Sequence, residues 1–228
     1  MKSLKKYFFK IPVTKLCVFT VSLPLFAFVA CVMMTMYKDF ENANNTHCKV
    51  PNVFPSISAS IGNYEPQNTI WKTAIYAHAP LRFFILYLRA NYYHNIIREN
   101  CLIVVKLAIG LNITENLALI GLSHWTSSQY YCKYIHISEM VTPVPNITSL
   151  ERYSIKLKWR SFCVNVGSFA FAAYFFLRHN RLCEPYVYSM FGFAEYIVVI
   201  TNILFHLTTV YDLTVKYIYL TSKGMSIE

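Results

Sequence analysis

The most telling scarcity in this sequence of 228 residues is charge. Only 14% of the residues are Asp, Glu, Lys or Arg, against 55% hydrophobic and 17% aromatic, and the mean hydropathy is +0.35. Soluble domains carry roughly a quarter charged residues, so a chain this poor in charge cannot cover a core of its own with a polar surface. A bilayer removes that requirement, because lipid solvates an apolar exterior. Nucleotide-binding and hydrolase motifs are missing too: there is no HExxH, GxSxG, P-loop or GxGxxG, so the common metalloprotease, esterase and nucleotide-binding chemistries have no motif support. The seven cysteines contain no CxxC pair. No cofactor and no metal site are expected.

What is present are long apolar runs, and they predict an all-α fold, a polytopic transmembrane helix bundle in a single domain. Five spans are evident at residues 16–36, 70–91, 101–125, 162–177 and 186–210, each near the roughly 20 residues that cross a bilayer. The first follows Lys2, Lys5, Lys6, Lys10 and Lys15. It is longer than a signal-peptide core and ends at no small-x-small site, so it reads as an uncleaved anchor with a cytosolic N-terminus. The net charge of +10 sits largely at span ends, as the positive-inside rule expects, and nucleic acid is not an expected partner. Residues 126–160 remain uncertain. Lys133, His136, Glu139, Pro143 and Pro145 make a poor span, and the basic patch Arg152, Lys156, Lys158 and Arg160 follows. Five crossings would put that patch in the lumen, so charge argues for an even number.

Cysteine and asparagine carry further expectations. Cys17, Cys31, Cys101 and Cys163 lie in or near apolar stretches and read as small buried residues. Cys48 and Cys183 lie near span ends. They are a disulfide candidate if both loops are lumenal, or else two free thiols. Asn44 opens the sequon Asn44-Asn45-Thr46 and is an N-glycosylation candidate in a lumenal loop. The small, mildly apolar stretch Ile57 to Ile61 in that loop lies on the bilayer or dips into it.

Polar residues inside spans are costly and usually face a bundle interior or an aqueous cavity. His78, Arg82 and Arg89 share one helical face, Asn112, Glu115 and Asn116 another, and Glu195, Asn202 and His206 a third, with Asp212 at the membrane edge. Two readings stand. One is a polar pocket in which His, Glu and Asp move protons on an ester or hold a lipid headgroup. The other is structural, with Arg82 or Arg89 paired to Glu115 or Glu195.

Several motifs in order resemble the Frag/DRAM/Sfk family of multi-pass proteins. They are Cys48-Lys49-Val50-Pro51-Asn52-Val53-Phe54-Pro55-Ser56, Pro66-Gln67, His78-Ala79-Pro80-Leu81-Arg82, Glu115-Asn116-Leu117-Ala118-Leu119, Arg178-His179-Asn180 with Cys183-Glu184, and Phe193-Ala194-Glu195-Tyr196 through Asn202 and His206 to Asp212. The resemblance implies six spans, both termini cytosolic, residence in Golgi or endoplasmic reticulum membranes, and a role in GPI-anchor lipid remodelling, the reacylation of lyso-GPI-anchored proteins. It leaves open whether such a member is itself the acyltransferase. Partners would be membrane lipid and GPI-anchored proteins. The candidate catalytic residues are His78, Glu195, His206 and Asp212. The candidate headgroup-binding residues are Arg82, Glu115, Asn116, Arg178, His179 and Asn202. The chain departs from the family where a full span is expected, since only residues 126–150 stand between the Glu115 motif and the next basic patch. Alternatives are a non-catalytic scaffold, a lipid-presenting or autophagy-related factor of the same family, and a shortened inactive form.

Overall fold

The computed structural model describes residues 7–62, 64–96, 102–124, 149–213, 217–221 and 224–227. It is an all-α membrane bundle with one small sheet. The elements in chain order are β1 (Tyr7–Pro12), α1 (Val13–Lys38), α2 (Phe40–Asn44), α3 (Ile57–Gly62), α4 (Gln67–Ile96), α5 (Leu102–His124), α6 (Ser149–Leu182), α7 (Val187–Leu207), α8 (Thr209–Asp212), β2 (Tyr217–Thr221) and β3 (Gly224–Ile227). Among the described residues, three helical stretches are long and apolar enough to cross a membrane: Val13–Lys38, Arg152–Leu182 and Val187–Asp212. At 1.5 Å per residue, α1 is about 39 Å long, against a hydrocarbon core of about 30 Å.

Cross-helix contacts fix the direction of each helix. His78 bonds the Thr20 carbonyl while Cys31 bonds that of Gln67, so α1 and α4 are antiparallel. Tyr76 meets His124 and Arg82 meets Glu115, so α4 and α5 are antiparallel. Lys158 meets Asp212 and Asn165 meets Val198, so α6 and α7 are antiparallel. The Phe28 and Tyr196 rings meet edge to face with centroids 5.5 Å apart, which sets α1 against α7. It follows that α5 and α6 run the same way. Of the uncertain stretch 126–160, residues 126–148 lie outside the described residues, as does Cys101.

One end of the bundle gathers both termini. No strand is expected from the sequence there, yet β1, β2 and β3 form an antiparallel sheet in that order. Tyr, Phe and Ile flanking the first and last helices suit a half-buried strand surface. Ile218 of β2 packs with Val13, Cys17, Leu88 and Leu213, which anchors the sheet to α1 and α4. Nearby, Lys158 and Asp212 form a buried ion pair (2.5 Å), with Ser154 donating to Asp212 at 2.7 Å. The basic patch is therefore the start of α6, which begins at Ser149 rather than near 162.

The other end carries the long loop after α1. Ser189 Oγ accepts from Val53 N (2.7 Å), Tyr196 Oη donates to Pro55 O (2.7 Å), and Tyr188 Oη donates to Ser56 Oγ (2.9 Å). Thr35 Oγ1 donates to the Ser60 carbonyl, so the Ile57–Ile61 stretch is α3, folded down against α1, α4 and α7. Ala27, Phe28, Cys31, Ile61, Trp71 and Ile75 are the buried core at this level. Contrary to expectation Cys163 is exposed, whereas Cys17 and Cys31 are buried. α6 shows most of its apolar side chains outward, Phe171 and Leu177 among them, as a lipid-facing helix does.

Gly192 holds the loop and α7 together. A Cβ built there would stand 2.8 Å from Pro55 O and 3.0 Å from Phe54 O, both backbone atoms. Gly192→Ala is expected to destabilise the protein by about 1–3 kcal/mol, read as a lower melting temperature in detergent. An unchanged melt would show that the loop does not rest on α7.

Candidate functional site

Four side chains from three helices meet in the half of the bundle nearer the termini. Arg82 of α4 lies 3.3 Å from Glu115 of α5 and 2.9 Å from His206 Nε2 of α7. His206 Nε2 is also 2.9 Å from Glu115 Oε1. One ring nitrogen cannot accept from a guanidinium and donate to a carboxylate at once. The consistent assignment puts the hydrogen on Nε2, donating to Glu115, and lets Nδ1 accept from Arg82 at 3.2 Å. All three groups are at least 86% buried, with Arg82 at 9% exposure, His206 at 12% and Glu115 at 14%.

His78, one turn before Arg82, behaves differently. Its Nδ1 is 2.7 Å from the backbone carbonyl of Thr20. A carbonyl only accepts, so Nδ1 carries the hydrogen and Nε2 is the nitrogen able to take a proton. His78 lines a cavity of about 40 Å³ together with Thr20, Arg82, Arg89, Asn112 and His206. Two guanidiniums and two imidazoles line this space, and the guanidinium N–H groups suit a phosphate or a developing oxyanion.

The remaining predicted residues lie elsewhere. Asn116 bonds Asn112 within α5, at 2.9 Å to its carbonyl. Asn202 is half-buried one turn before His206 on α7. Glu195 is eleven residues from His206, about 16 Å along the helix, and its Oε2 accepts from Ile57 N at 2.9 Å, at the start of α3. Asp212 is held by Lys158 and Ser154. The three polar faces expected from the sequence thus contribute to separate sites at different levels of the bundle. At the opposite end Arg178 forms a bidentate pair with Glu184 (2.6 and 2.9 Å), which holds that carboxyl below the usual carboxylate range. Cys48 and Cys183 are joined in a disulfide. His179 is buried at 1% exposure between His47 and Tyr188. Asn44 is 6% exposed, and its amide nitrogen, where a glycan would attach, donates to Phe40 O at 3.1 Å.

The pairing partner of His78 was not legible in the sequence. A backbone carbonyl in an apolar run leaves no residue-type signal, and Thr20 itself uses its hydroxyl on Leu16 O.

The sequence profile of the Frag1/DRAM/Sfk1/Cwh43P N-terminal domain matches residues 12–143 and 125–216. The chain belongs to the Frag1/DRAM/Sfk1/Cwh43P family. Among its relatives is the Drosophila melanogaster protein named Post-GPI attachment to proteins factor 2, 40% identical over 91% of this chain and 88% of the relative. The Caenorhabditis elegans protein of the same name is 32% identical over 88% of this chain and 85% of its own length. The Xenopus tropicalis protein named Acyltransferase PGAP2 is 32% identical over 95% of this chain and 93% of its own length. No solved structure matches significantly. Membership of this family and the apolar helices make the chain a multi-pass membrane protein.

Two outcomes follow from this geometry. Glu115→Gln removes the counter-charge of buried Arg82 and is expected to cost about 3–5 kcal/mol of stability. The double variant Arg82→Met with Glu115→Leu should recover most of it in thermal melts, and a neutral Glu115→Gln would disprove the pairing. For Asn44, the burial leaves no room for a glycan. Asn44→Gln should migrate with wild type, and a faster-migrating variant that matches glycosidase-treated wild type would contradict this.

Proposed function

We propose that this protein works in lipid remodelling of GPI anchors in the Golgi membrane, transferring an acyl chain to the free hydroxyl of a lyso-GPI-anchored protein. The names of its relatives support the pathway and the reaction class. The observation that carries a catalytic reading is His78, buried, with Nδ1 fixed on the Thr20 carbonyl and Nε2 available beside two arginines.

In this reading the N-terminus is cytosolic, following the Lys-rich leader. Taking the middle of the apolar run 16–36 as the bilayer centre, and the one-to-one opposition of α1 and α4, His78 is about 9 Å from the centre and Arg82 about 15 Å, at 1.5 Å per residue. Both are displaced toward the cytosolic leaflet rather than the lumenal one. Arg82 and Arg89 then suit the phosphate-bearing head of an acyl donor drawn from the cytosolic side. His78 is the member nearest the bilayer centre, and the reaction there requires the acceptor's hydroxyl to be drawn from the lumenal leaflet past the centre to reach it. His78 Nε2 takes the hydroxyl proton as the new ester bond forms. The donor's ester or thioester bond breaks, and the proton passes to the leaving group. Glu115 and His206 hold Arg82 in place, so they are positioning residues, while Glu195 and Asp212 hold α3 and α6.

The test is acyl transfer from a labelled acyl donor to a lyso-GPI-protein in vesicles containing the purified protein. Loss of a general base costs about 10²–10⁴-fold in rate. His78→Gln at normal abundance is expected to fall by that amount. His206→Ala should also lose remodelling without lowering protein level. Full transfer by His78→Gln would remove His78 from the chemistry. Vesicles in which wild type transfers nothing until a second protein is added would instead favour a non-catalytic helper.

A further inference from the structure

His179 is the anomaly of the disulfide end. It is 1% exposed, and among the described residues neither ring nitrogen has a hydrogen-bond partner. A buried imidazole without partners calls for an explanation, and ring contacts with His47 and Tyr188 satisfy neither nitrogen. Beside it stand His47 and Cys48. The ligand-capable atoms of His47, Cys48 and His179 lie within 4.8 Å of one another, and His47 Nε2 is 3.2 Å from Cys48 Sγ. Cys183 supplies a fourth such atom, since its sulfur is bonded to that of Cys48.

Two imidazoles and two thiolates are a structural zinc set. With Zn–N of about 2.0–2.1 Å and Zn–S of about 2.3 Å, neighbouring ligands of a tetrahedral ion stand about 3.3–3.8 Å apart. The spacing of His47, Cys48 and His179 needs shifts of about 1 Å to reach that, the two sulfurs must part further once their bond is reduced, and His47 is exposed. The backbone here is held in a set conformation: Lys49, Cys183 and Tyr186 all have positive φ (52°, 48° and 64°), which non-glycine residues adopt only when their surroundings impose it.

We propose that the dithiol form of this end binds one zinc-class divalent ion through His47, Cys48, His179 and Cys183, and that the disulfide is its metal-free alternative. In the dithiol form the two thiols lose two protons to the solvent as the ion binds. A thiol oxidant, such as a disulfide-bearing oxidoreductase, takes two electrons from the two thiolates to join the sulfurs and releases the ion. The ion would hold the loop after α1 against the end of α6 before the disulfide does, which orders the lumenal end while the chain is still reduced. The site would also be more exposed to competing metals than a buried core cluster, because His47 opens to solvent.

The test uses the full-length chain in detergent, reduced with a phosphine and exposed to zinc or cobalt(II), then desalted. The expected result is about one zinc per chain, visible cobalt bands of a tetrahedral thiolate site, and release of the metal on oxidation by a small disulfide. His47→Ala should weaken binding at least about tenfold in competition with a chromophoric chelator, and its exposed position spares the fold. His179→Ala and Cys183→Ser, checked for native size-exclusion behaviour, should do the same. No bound zinc in the reduced chain overturns the proposal. So does zinc held equally well by His47→Ala and His179→Ala, because the other thiols of the chain would then be its ligands.

Discussion

One guanidinium ties the bundle together. Arg82 belongs to α4, yet its partners come from α5 and α7, and the preceding turn of α4 is fastened to α1 through His78. A charge at this depth is tolerable only when paired and fully hydrogen-bonded. The pairing with Glu115 therefore fixes the rotation of α5, and the shared contact with His206 fixes where α7 sits. Apolar packing between helices gives little directional preference in lipid. Polar contacts of this kind are what single out one arrangement of helices from many of similar burial.

The same arrangement separates structural chemistry from available chemistry. Glu115 and His206 spend their capacity on Arg82, Asp212 spends its own on Lys158, and Glu195 supports the first turn of α3. Each is a polar residue in an apolar setting, and each is satisfied. His78 is held at one nitrogen only, and His179 at neither. Buried oxygens of Asn52, Gln67 and Asn116 are also without partners among the described residues, but the imidazoles are the groups here that can carry a proton or ligate a metal, so His78 and His179 are where binding or reaction is to be sought.

The two ends of the bundle use different means to stay closed. At the terminal end, a three-stranded sheet and the Lys158–Asp212 pair bring β1, α6 and α8 together. At the other end, a disulfide, a bidentate Arg178–Glu184 pair and the loop docked on Gly192 do the same. In the second set the loop is irregular backbone, held because its groups find partners on α7: Val53 N on Ser189, and Pro55 O and Ser56 Oγ on Tyr196 and Tyr188.

The sequence by itself determined the class of the fold, because charge scarcity and apolar runs leave no alternative to a membrane bundle. It also determined which polar residues would be unusual, since any charge inside a span is. Arg82 with Glu115 was one of the pairings that reading left open. Helical periodicity, however, places residues on a face without saying at what depth a neighbour meets them. For that reason Glu195 and His206, on one face of α7, serve different ends of the molecule. The sheet of the two termini, the shared direction of α5 and α6, the Thr20 carbonyl behind His78 and the gathering of His47 with His179 were decided by tertiary structure. All are contacts between residues far apart in the chain, or contacts to backbone atoms, and neither kind leaves a mark on local composition.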